Sequence, residues 1–440
     1  MKSDNQNSKP GKTGQNHWAQ RNNRQILAWS LYDFANSAFA TTVMAAFFPV
    51  FFKEYWRSGV EVTQSTFELG MGNSVASLCI AVSAPILGAM ADAGRRKKRF
   101  LGLFTALGVL TTAGLFFAPA SDWQWALAFY ALAAMGFAGS NIFYDSLLVS
   151  VSGRQKMDFV SGLGYALGYL GGSLLLVVNV LMATKPEWFG FSSAAEGIRY
   201  SFLTVSLWWA IFSLPLFFMV QEDGAASTLS YGQLIAKSYR QLALTIRSVG
   251  QHKALLLFLI AYIFYIDGVN TMIKMAVDYG KALGFPTDNL ITALLITNFV
   301  AFPATVAFGF FGERFGARKG IYLALAIYIV ATSWGHYMQQ VYEFYFLAGA
   351  IGLVQGGIQS LSRSYYAQMV PEGQEAEYFG FFNTVGKFSA IFGPVLVGYV
   401  SQATNNPRSS ILVILAFFAV GIILLRFHSK TLNQLPEKTP

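Results

Sequence analysis

The chain has 440 residues, of which 54% are hydrophobic and only 12% are charged, and its formal net charge is +9. Its mean hydropathy is +0.44. Because about a quarter of the residues in soluble domains are charged, this composition excludes an ordinary soluble protein and favours one that lies in lipid. The single cysteine also excludes disulfides within the chain and metal sites built from several cysteines.

Apolar segments long enough to cross a hydrocarbon core, which takes about 20 helical residues, follow one another along the chain. Their unbroken hydropathy favours helices over the short alternating strands of a barrel. The predicted fold is therefore an all-α membrane protein of twelve transmembrane helices. The predicted spans are residues 26–52, 68–90, 100–119, 124–150, 158–182, 198–220, 254–276, 290–312, 320–338, 344–366, 378–400 and 409–427.

Polar tails flank the spans at residues 1–25 and 428–440, and the first tail lacks the cleavage pattern of a secretory signal. Most lysines and arginines outside the spans fall on the side of these tails, with the densest cluster at residues 95–99. The positive-inside rule explains this bias and predicts that both termini are cytoplasmic. The basic charge therefore gives no support to nucleic-acid binding.

The first span carries a polar stripe in the string LYDFANSAF, formed by Asp33, Asn36 and Ser37. Steps of three and one place these side chains on one helical face. A carboxylate within a bilayer costs about 2.5 to 3.5 kcal/mol even on the lenient insertion scale, so we expect this stripe to line a polar pathway.

The loop after the second span combines small, acidic and basic residues, in the order Gly88, Asp92, Arg95 and Arg96. Asp145 ends the fourth span on the same side of the predicted bundle. We interpret these five residues as a candidate gate at the cytoplasmic face.

Residues 221–253 connect two halves, residues 26–220 and 254–427, and show apolar side chains at helical spacing opposite basic ones. This pattern predicts an amphipathic helix on the cytoplasmic membrane surface. A mechanical strap between the halves is the simplest role for such a helix.

The second half repeats the polar features of the first. Span 7 carries FYIDGVNTM, in which Asp267, Asn270 and Thr271 repeat the stripe of span 1, followed by Lys274. The loop after span 8 repeats the candidate gate, with Glu313, Arg314 and Arg318 in place of the first acidic and basic residues. The sequence therefore predicts two pseudo-symmetric six-helix bundles around a shared central pathway.

Spans 10 and 11 add cations and an amide to that pathway, namely Gln359, Arg363 and Lys387. Because span 10 is the counterpart of span 4, we expect Arg363 to face Asp145 of the other half. Aspartate on one wall and a guanidinium or ammonium on the other suit a zwitterionic solute, since carboxylates pair with arginine and ammonium groups pair with aspartate. The alternative is that Asp33 pairs with Lys387 or Arg363 as an interhelical gate that touches no solute.

The chain has no phosphate-binding loop for ATP, because five residues rather than four separate Gly380 from Gly386 and Phe388 follows Lys387. A proton gradient is the remaining energy source that these residues favour, with Asp33 or Asp267 as proton carrier. No catalytic motif, cofactor site or metal-ligand pattern is present in the sequence, so we expect neither an enzyme nor a cofactor.

Three strings carry a family resemblance: WSLYDFANSAF at residues 29–39, GGIQSLSRS at 356–364 and FGFFNTVGKFSAIFGP at 379–394. They resemble the autophagy-related vacuolar amino-acid effluxers and their bacterial relatives, a branch of the major facilitator superfamily. The resemblance implies the major facilitator fold, alternating access, an amino-acid-like solute and, for a bacterial relative, the cytoplasmic membrane. A sugar, peptide or nucleoside as solute, or a non-transporting sensor or scaffold on this fold, are the alternatives.

Overall fold

A computed structural model describes residues 12–120, 122–153, 155–222, 244, 247, 253–404 and 406–433. Helices occupy nearly all of these residues, and no strand occurs among them. The predicted amphipathic connector, residues 221–253, lies almost wholly outside the described residues. The all-α prediction is confirmed.

Twelve long helices make up the described part of the chain. In chain order α1 to α12 are Lys12–Ala38, Val62–Gly94, Lys97–Phe117, Trp123–Ser146, Met157–Thr184, Ala194–Met219, Lys253–Ala282, Thr287–Phe315, Ala317–Tyr337, Val341–Met369, Glu375–Thr404 and Leu412–Asn433. Short helical pieces lie at Leu148–Ser152, Pro186–Phe189 and Pro407–Ser410. Eleven helices of the described part are long and apolar enough to cross a membrane. The remaining long one, α9, coincides with the ninth predicted span and has 21 residues.

The first helix departs from regular α geometry beyond the polar stripe. It widens into π-helical turns at Phe39–Phe47 and Phe52–Trp56, with one α-helical turn at Phe48–Phe51 between them. Such insertions are rare and often accompany functional sites in membrane and soluble helices. The widened segment directly follows Asp33, Asn36 and Ser37 and reaches the end of the bundle.

Helices α1 to α6 and α7 to α12 form two halves that meet along two helix pairs, α2 with α11 and α5 with α8. Glycines permit the close approach. A Cβ on Gly380 of α11 would lie 2.8 Å from the Ala84 carbonyl oxygen of α2, and one on Gly162 of α5 would lie 3.1 Å from the Thr305 carbonyl oxygen of α8. Small residues at helix crossings serve this purpose in membranes.

These two crossings are related by the internal repeat. Gly162 and Gly380 differ by 218 positions, and their contacts, Ala84 and Thr305, differ by 221. The offset of 221 also relates Asp92 to Glu313 in the repeated loops, whereas Asp33 and Asp267 of the polar stripes are 234 positions apart. The pseudo-symmetry predicted from the sequence therefore extends to the packing of one half against the other.

Candidate functional site

The interface between the halves has two ends with different character. We call the end where α3 begins, next to the basic residues 95–99, the basic end, and the opposite end the distal end. A cavity of about 680 Å³ lies between the halves toward the distal end. Its walls include Thr41 and Tyr169 of the first half and Met272, Asn298 and Gln355 of the second, and the lining side chains that the structure describes are all uncharged.

Below the cavity, toward the basic end, Arg363 of α10 binds two carboxylates from the other half. Its Nη1 lies 2.9 Å from Asp145 Oδ1 on α4 and 3.5 Å from Asp33 Oδ2 on α1. The guanidinium also donates to Ser161 of α5, through Nε to the hydroxyl at 2.9 Å and through Nη2 to the carbonyl at 2.9 Å. Arg363 is 2% exposed, so this cluster is a buried electrostatic joint between the halves.

Aromatic rings from the first half enclose the Arg363 guanidinium. Its Cζ lies 4.3 Å from the ring centroid of Tyr165, 5.0 Å from that of Trp29 and 5.5 Å from that of Tyr144. The Trp29 and Tyr144 rings stack at 4.3 Å, and the Tyr144 hydroxyl donates to Asp33 at 3.0 Å. Desolvated cation–π contacts of this kind stabilise a bound cation by about 2 kcal/mol.

Two further contacts across the interface surround this cluster. The Asn383 amide of α11 donates to Asp145 Oδ2 at 3.1 Å, and the Ser161 hydroxyl donates to the Ser360 carbonyl at 2.7 Å. Helices α1, α4 and α5 of one half are thereby tied to α10 and α11 of the other.

The floor of the cavity is a short hydrogen-bonded chain centred on Tyr169 of α5. Its hydroxyl donates to Gln359 Oε1 at 2.9 Å and accepts from the Gln355 amide at 3.0 Å. Tyr169 and Gln355 also line the cavity. A solute that reaches the floor therefore meets neutral donors and acceptors before it reaches the charged cluster.

A second set of charges closes the basic end, and we call Asp92, Lys97 and Glu375 the basic-end latch. Lys97 Nζ lies 3.2 Å from Asp92 Oδ1 and 2.7 Å from Glu375 Oε2. Asp92 also accepts from the backbone amides of Ala376 and Glu377, at 3.1 and 2.8 Å, at the start of α11. A carboxylate in this position satisfies unpaired amides and interacts favourably with the helix dipole.

The other predicted gate residues occupy different surroundings. Gly88 packs against the Ala376 backbone on α11. Arg95 is exposed and ends α2 in a left-handed conformation, with φ of 50°, while Arg96 is partly buried. In the repeated loop Glu313 and Arg314 are exposed and Arg318 is partly buried. Within the described part of the chain, no ion pair involves Glu313, so the latch is formed on one side of the pseudo-twofold only.

The repeated stripes are not equivalent either. Asn36 donates to Asn141 of α4 at 2.6 Å inside the first half, and Ser37 faces Gly168 of α5. In the second half Thr271 donates to Asp267 at 3.4 Å, and both side chains pack against Gly393 of α11. Asp33 therefore belongs to the charged cluster between the halves, whereas Asp267 lies between two helices of its own half.

The last three predicted site residues lie apart from the charged cluster. Asn270 is partly buried, and Lys274 is exposed on α7. Lys387 is partly buried one helical turn from Asn383 on α11. Its ammonium has no hydrogen bond or ion pair to any residue that the structure describes.

Several residues of the site are absent from the sequence prediction as site residues, namely Lys97, Glu375, Ser161, Asn383 and Tyr144. Lys97 lies inside the basic cluster and Tyr144 precedes Asp145, so both had a local signal. Ser161 and Glu375 had none, because their roles arise only from contacts with residues about two hundred or more positions away. In the described residues no group of three His, Cys, Asp or Glu side chains is placed to hold a metal ion.

Comparison with known families and proteins gives a consistent result. The family model described as "Vacuole effluxer Atg22 like" matches residues 58–157 and 149–431. The MFS-type transporter YxiO of Bacillus subtilis is 36% identical over 94% of this chain and 96% of its own. Autophagy-related protein 22 of Eremothecium gossypii is 23% identical over 91% of this chain and 90% of its own.

Solved structures of major facilitator superfamily proteins share the fold. The proton:xylose symporter XylE aligns with a TM-score of 0.68 at 13% identity, over 94% of this chain and 96% of its own. The human organic anion transporter MFSD10 aligns with a TM-score of 0.70 at 14% identity, over 92% of this chain and 99% of its own. The predicted major facilitator fold is thereby confirmed.

Proposed function

Because the chain belongs to the vacuole effluxer Atg22 like family of major facilitator superfamily transporters, we propose that it moves a small amino-acid-like solute by proton-coupled alternating access. It is a multi-pass integral membrane protein, and secondary transport is the activity of its superfamily. The proposal concerns the cargo, the coupling and the orientation. Under the positive-inside rule the basic end is cytoplasmic, as are both termini, and the membrane is the bacterial cytoplasmic membrane.

One observation carries the proposal: a cavity lies on one side of a buried, charged joint between the two halves. The Arg363 cluster and the basic-end latch close the cytoplasmic side, while the cavity extends toward the distal side. Transport then requires that the contacts of Arg363 and of the basic-end latch break and that the two halves close at the distal end. Interfaces of this type are bistable because packed surfaces do not deform continuously.

The charges around the cavity floor support a zwitterionic solute. The Arg363 guanidinium can exchange Asp33, its more distant partner at 3.5 Å, for a solute carboxylate, because an arginine fork matches a carboxylate in bidentate fashion. The Asp33 carboxylate that is released is then available for an ammonium group. The solute thereby replaces one of the contacts that hold the basic end shut, which couples binding to opening.

The neutral cavity above the floor supports a solute whose side chain is uncharged. Its walls combine apolar side chains such as Met272 and Leu347 with amides and hydroxyls such as Asn298 and Thr41. A charged side chain would lose its hydration there without a compensating ion pair, which costs several kcal/mol. The resemblance to vacuolar amino-acid effluxers is an independent argument for the same class of cargo.

Solute counterflow in proteoliposomes tests this function directly. Vesicles containing purified protein are preloaded with an unlabelled mixture of the standard amino acids and diluted into a trace of the same mixture in radiolabelled form. We expect transient accumulation of label in these vesicles and none in protein-free vesicles. A parallel series with sugars, peptides and nucleosides distinguishes the alternative cargoes, and the absence of counterflow with every class would indicate a sensor or scaffold.

A further inference from the structure

The two repeated aspartates occupy the same position in their halves but have different partners. Asp33 faces the Arg363 guanidinium at 3.5 Å and accepts from the Tyr144 hydroxyl at 3.0 Å. Asp267 is 1% exposed, and none of the ion pairs among the described residues includes it. Duplication supplied two carboxyl groups, and only one of them is held by a cation.

The immediate partners of Asp267 are neutral. Thr271, one turn along α7, donates to its Oδ1 at 3.4 Å, and the carboxyl group packs against Gly393 of α11. A Cβ on Gly393 would lie 2.8 Å from Asp267 Oδ1 and would clash with the Thr271 hydroxyl. The glycine therefore creates a fitted polar niche for one carboxyl group between two helices.

Among the residues that the structure describes, no charged group of the surrounding helices forms an ion pair with Asp267. On α7 itself Lys274, two turns away, is the charged group whose field reaches Asp267. On α11 the nearest cation in sequence is Lys387, six residues before Gly393. On α10 Arg363 is engaged with Asp145, and α12 contributes the apolar ring of Phe418 next to Gly268.

Because their surroundings differ, the two equivalent aspartates are suited to different roles. We infer that Asp267 carries the coupling proton, whereas Asp33 helps to hold the two halves together through its contact with Arg363. A buried carboxylate without a cation is unfavourable, and a proton removes its charge without disturbing the niche, since a carboxylic acid of the same shape replaces it. Asp33 faces a cation, which it shares with Asp145, so its charge is partly compensated in the closed state.

Asp267 lies close to the distal cavity along α7, although it does not itself line the cavity. Met272 and Ile273, one to two turns further along α7, line the cavity, and the carboxyl group lies below them. When the two halves rock, the site of Asp267 moves relative to the first half. The side of the membrane from which a proton can reach Asp267 then changes together with the opening of the cavity. This inference rests on the proposed proton-coupled function and specifies its titrating group.

The test compares proton-driven accumulation with exchange in the same vesicles. A pH difference of one unit is worth about 1.4 kcal/mol per proton, so wild-type protein coupled to one proton should accumulate label up to about 10-fold. Asp267→Asn should abolish this accumulation, to about 1-fold, while counterflow of the radiolabelled amino-acid mixture persists. Asp267→Glu, which keeps a carboxyl group, should restore part of the response. Asp122→Asn, an exposed carboxyl at the start of α4, is the matched control and should behave as wild type.

A cargo-independent readout accompanies the transport assay. Infrared absorption of purified protein is recorded in the carboxylic-acid C=O region as the pH is lowered, and we expect a protonated-carboxyl band in wild type and in Asp33→Asn that is reduced in Asp267→Asn. Accumulation that persists in Asp267→Asn, or a band unchanged by that substitution, overturns the assignment. Wild-type protein that exchanges solute but ignores the pH difference overturns proton coupling itself, which is a different failure and leaves the transport function standing.

Discussion

Replacement of Arg363 by methionine should convert the closed basic end into an open one. The substitution keeps an apolar side chain of similar length but leaves Asp145 and Asp33 buried without their cation. Removal of one member of a buried ion pair costs about 3 to 5 kcal/mol. In the open state water reaches both carboxylates, so most of this cost falls on the closed state alone. Ser161 remains satisfied, because its hydroxyl still donates to the Ser360 carbonyl.

That free-energy change corresponds to roughly 100-fold to 4,000-fold in the ratio of closed to open molecules, since 1.4 kcal/mol is a factor of ten. Thiol labelling at the basic end reports this ratio. Cys79, the single native cysteine and an exposed one, is first replaced by serine. A reporter is then introduced as Ser364→Cys on α10, where the side chain is fully buried in the closed state.

With a hydrophilic maleimide the reporter should react slowly in the otherwise wild-type background. In Arg363→Met the rate should rise by about 100-fold or more, until the intrinsic rate of the thiol limits it. Arg314→Met removes an exposed arginine from the same end and should leave the rate unchanged. An Arg363→Met rate within twofold of the control would refute the idea that this cluster holds the halves together.

Further substitutions test the parts of the site separately. Lys97→Gln removes the cation of the basic-end latch and should raise the same labelling rate by about 10-fold, for a partly buried pair worth roughly 1 to 2 kcal/mol, whereas exposed Arg95→Gln should not. Gly393→Ala should lower thermal stability by about 1 to 3 kcal/mol through overpacking, while Gly398→Ala on the same helix, where a Cβ meets nothing within 4 Å, should be neutral in a thermal-unfolding assay. Lys387→Gln should weaken counterflow of amino acids more than that of their amides, about 10-fold against 2-fold, because its ammonium, which bonds to none of the described residues in the closed state, is available to a solute carboxylate. Equal losses for both kinds of solute would contradict that role.

Hydropathy and repetition are sufficient to predict most of the fold. The twelve long helices coincide with the predicted spans because each span must satisfy its backbone inside lipid, which leaves a helix as the available solution for an apolar run of this length. The repeat of Asp33 in Asp267 predicts the pseudo-twofold axis. Gly162 and Gly380 lie at the two helix crossings between the halves that this axis relates. The π-helical widening of α1 had no signal in composition, because it depends on packing against neighbours.

The candidate site was predictable in its residue types but not in all of its pairings. That Asp145 faces Arg363, 218 positions away, follows from the charges of two corresponding spans, whereas the second contact of Arg363, with Asp33, was one of several open alternatives. The two aspartates of the repeat look alike in sequence, yet one faces a guanidinium and the other a glycine backbone. That difference is decided by the residues on α10 and α11 that the fold brings near them, which no local pattern contains.

Distances between spin labels at the two ends of the bundle test alternating access most directly. In a Cys79→Ser background one pair of labels replaces the exposed Arg99 and Lys319 at the basic end, and another replaces the exposed Glu54 and Tyr342 at the distal end. We predict that Arg363→Met, or a solute identified by counterflow, lengthens the first distance and shortens the second. If both distances stay fixed, or if both lengthen together, the two halves do not exchange one closed end for the other and the proposed mechanism is wrong.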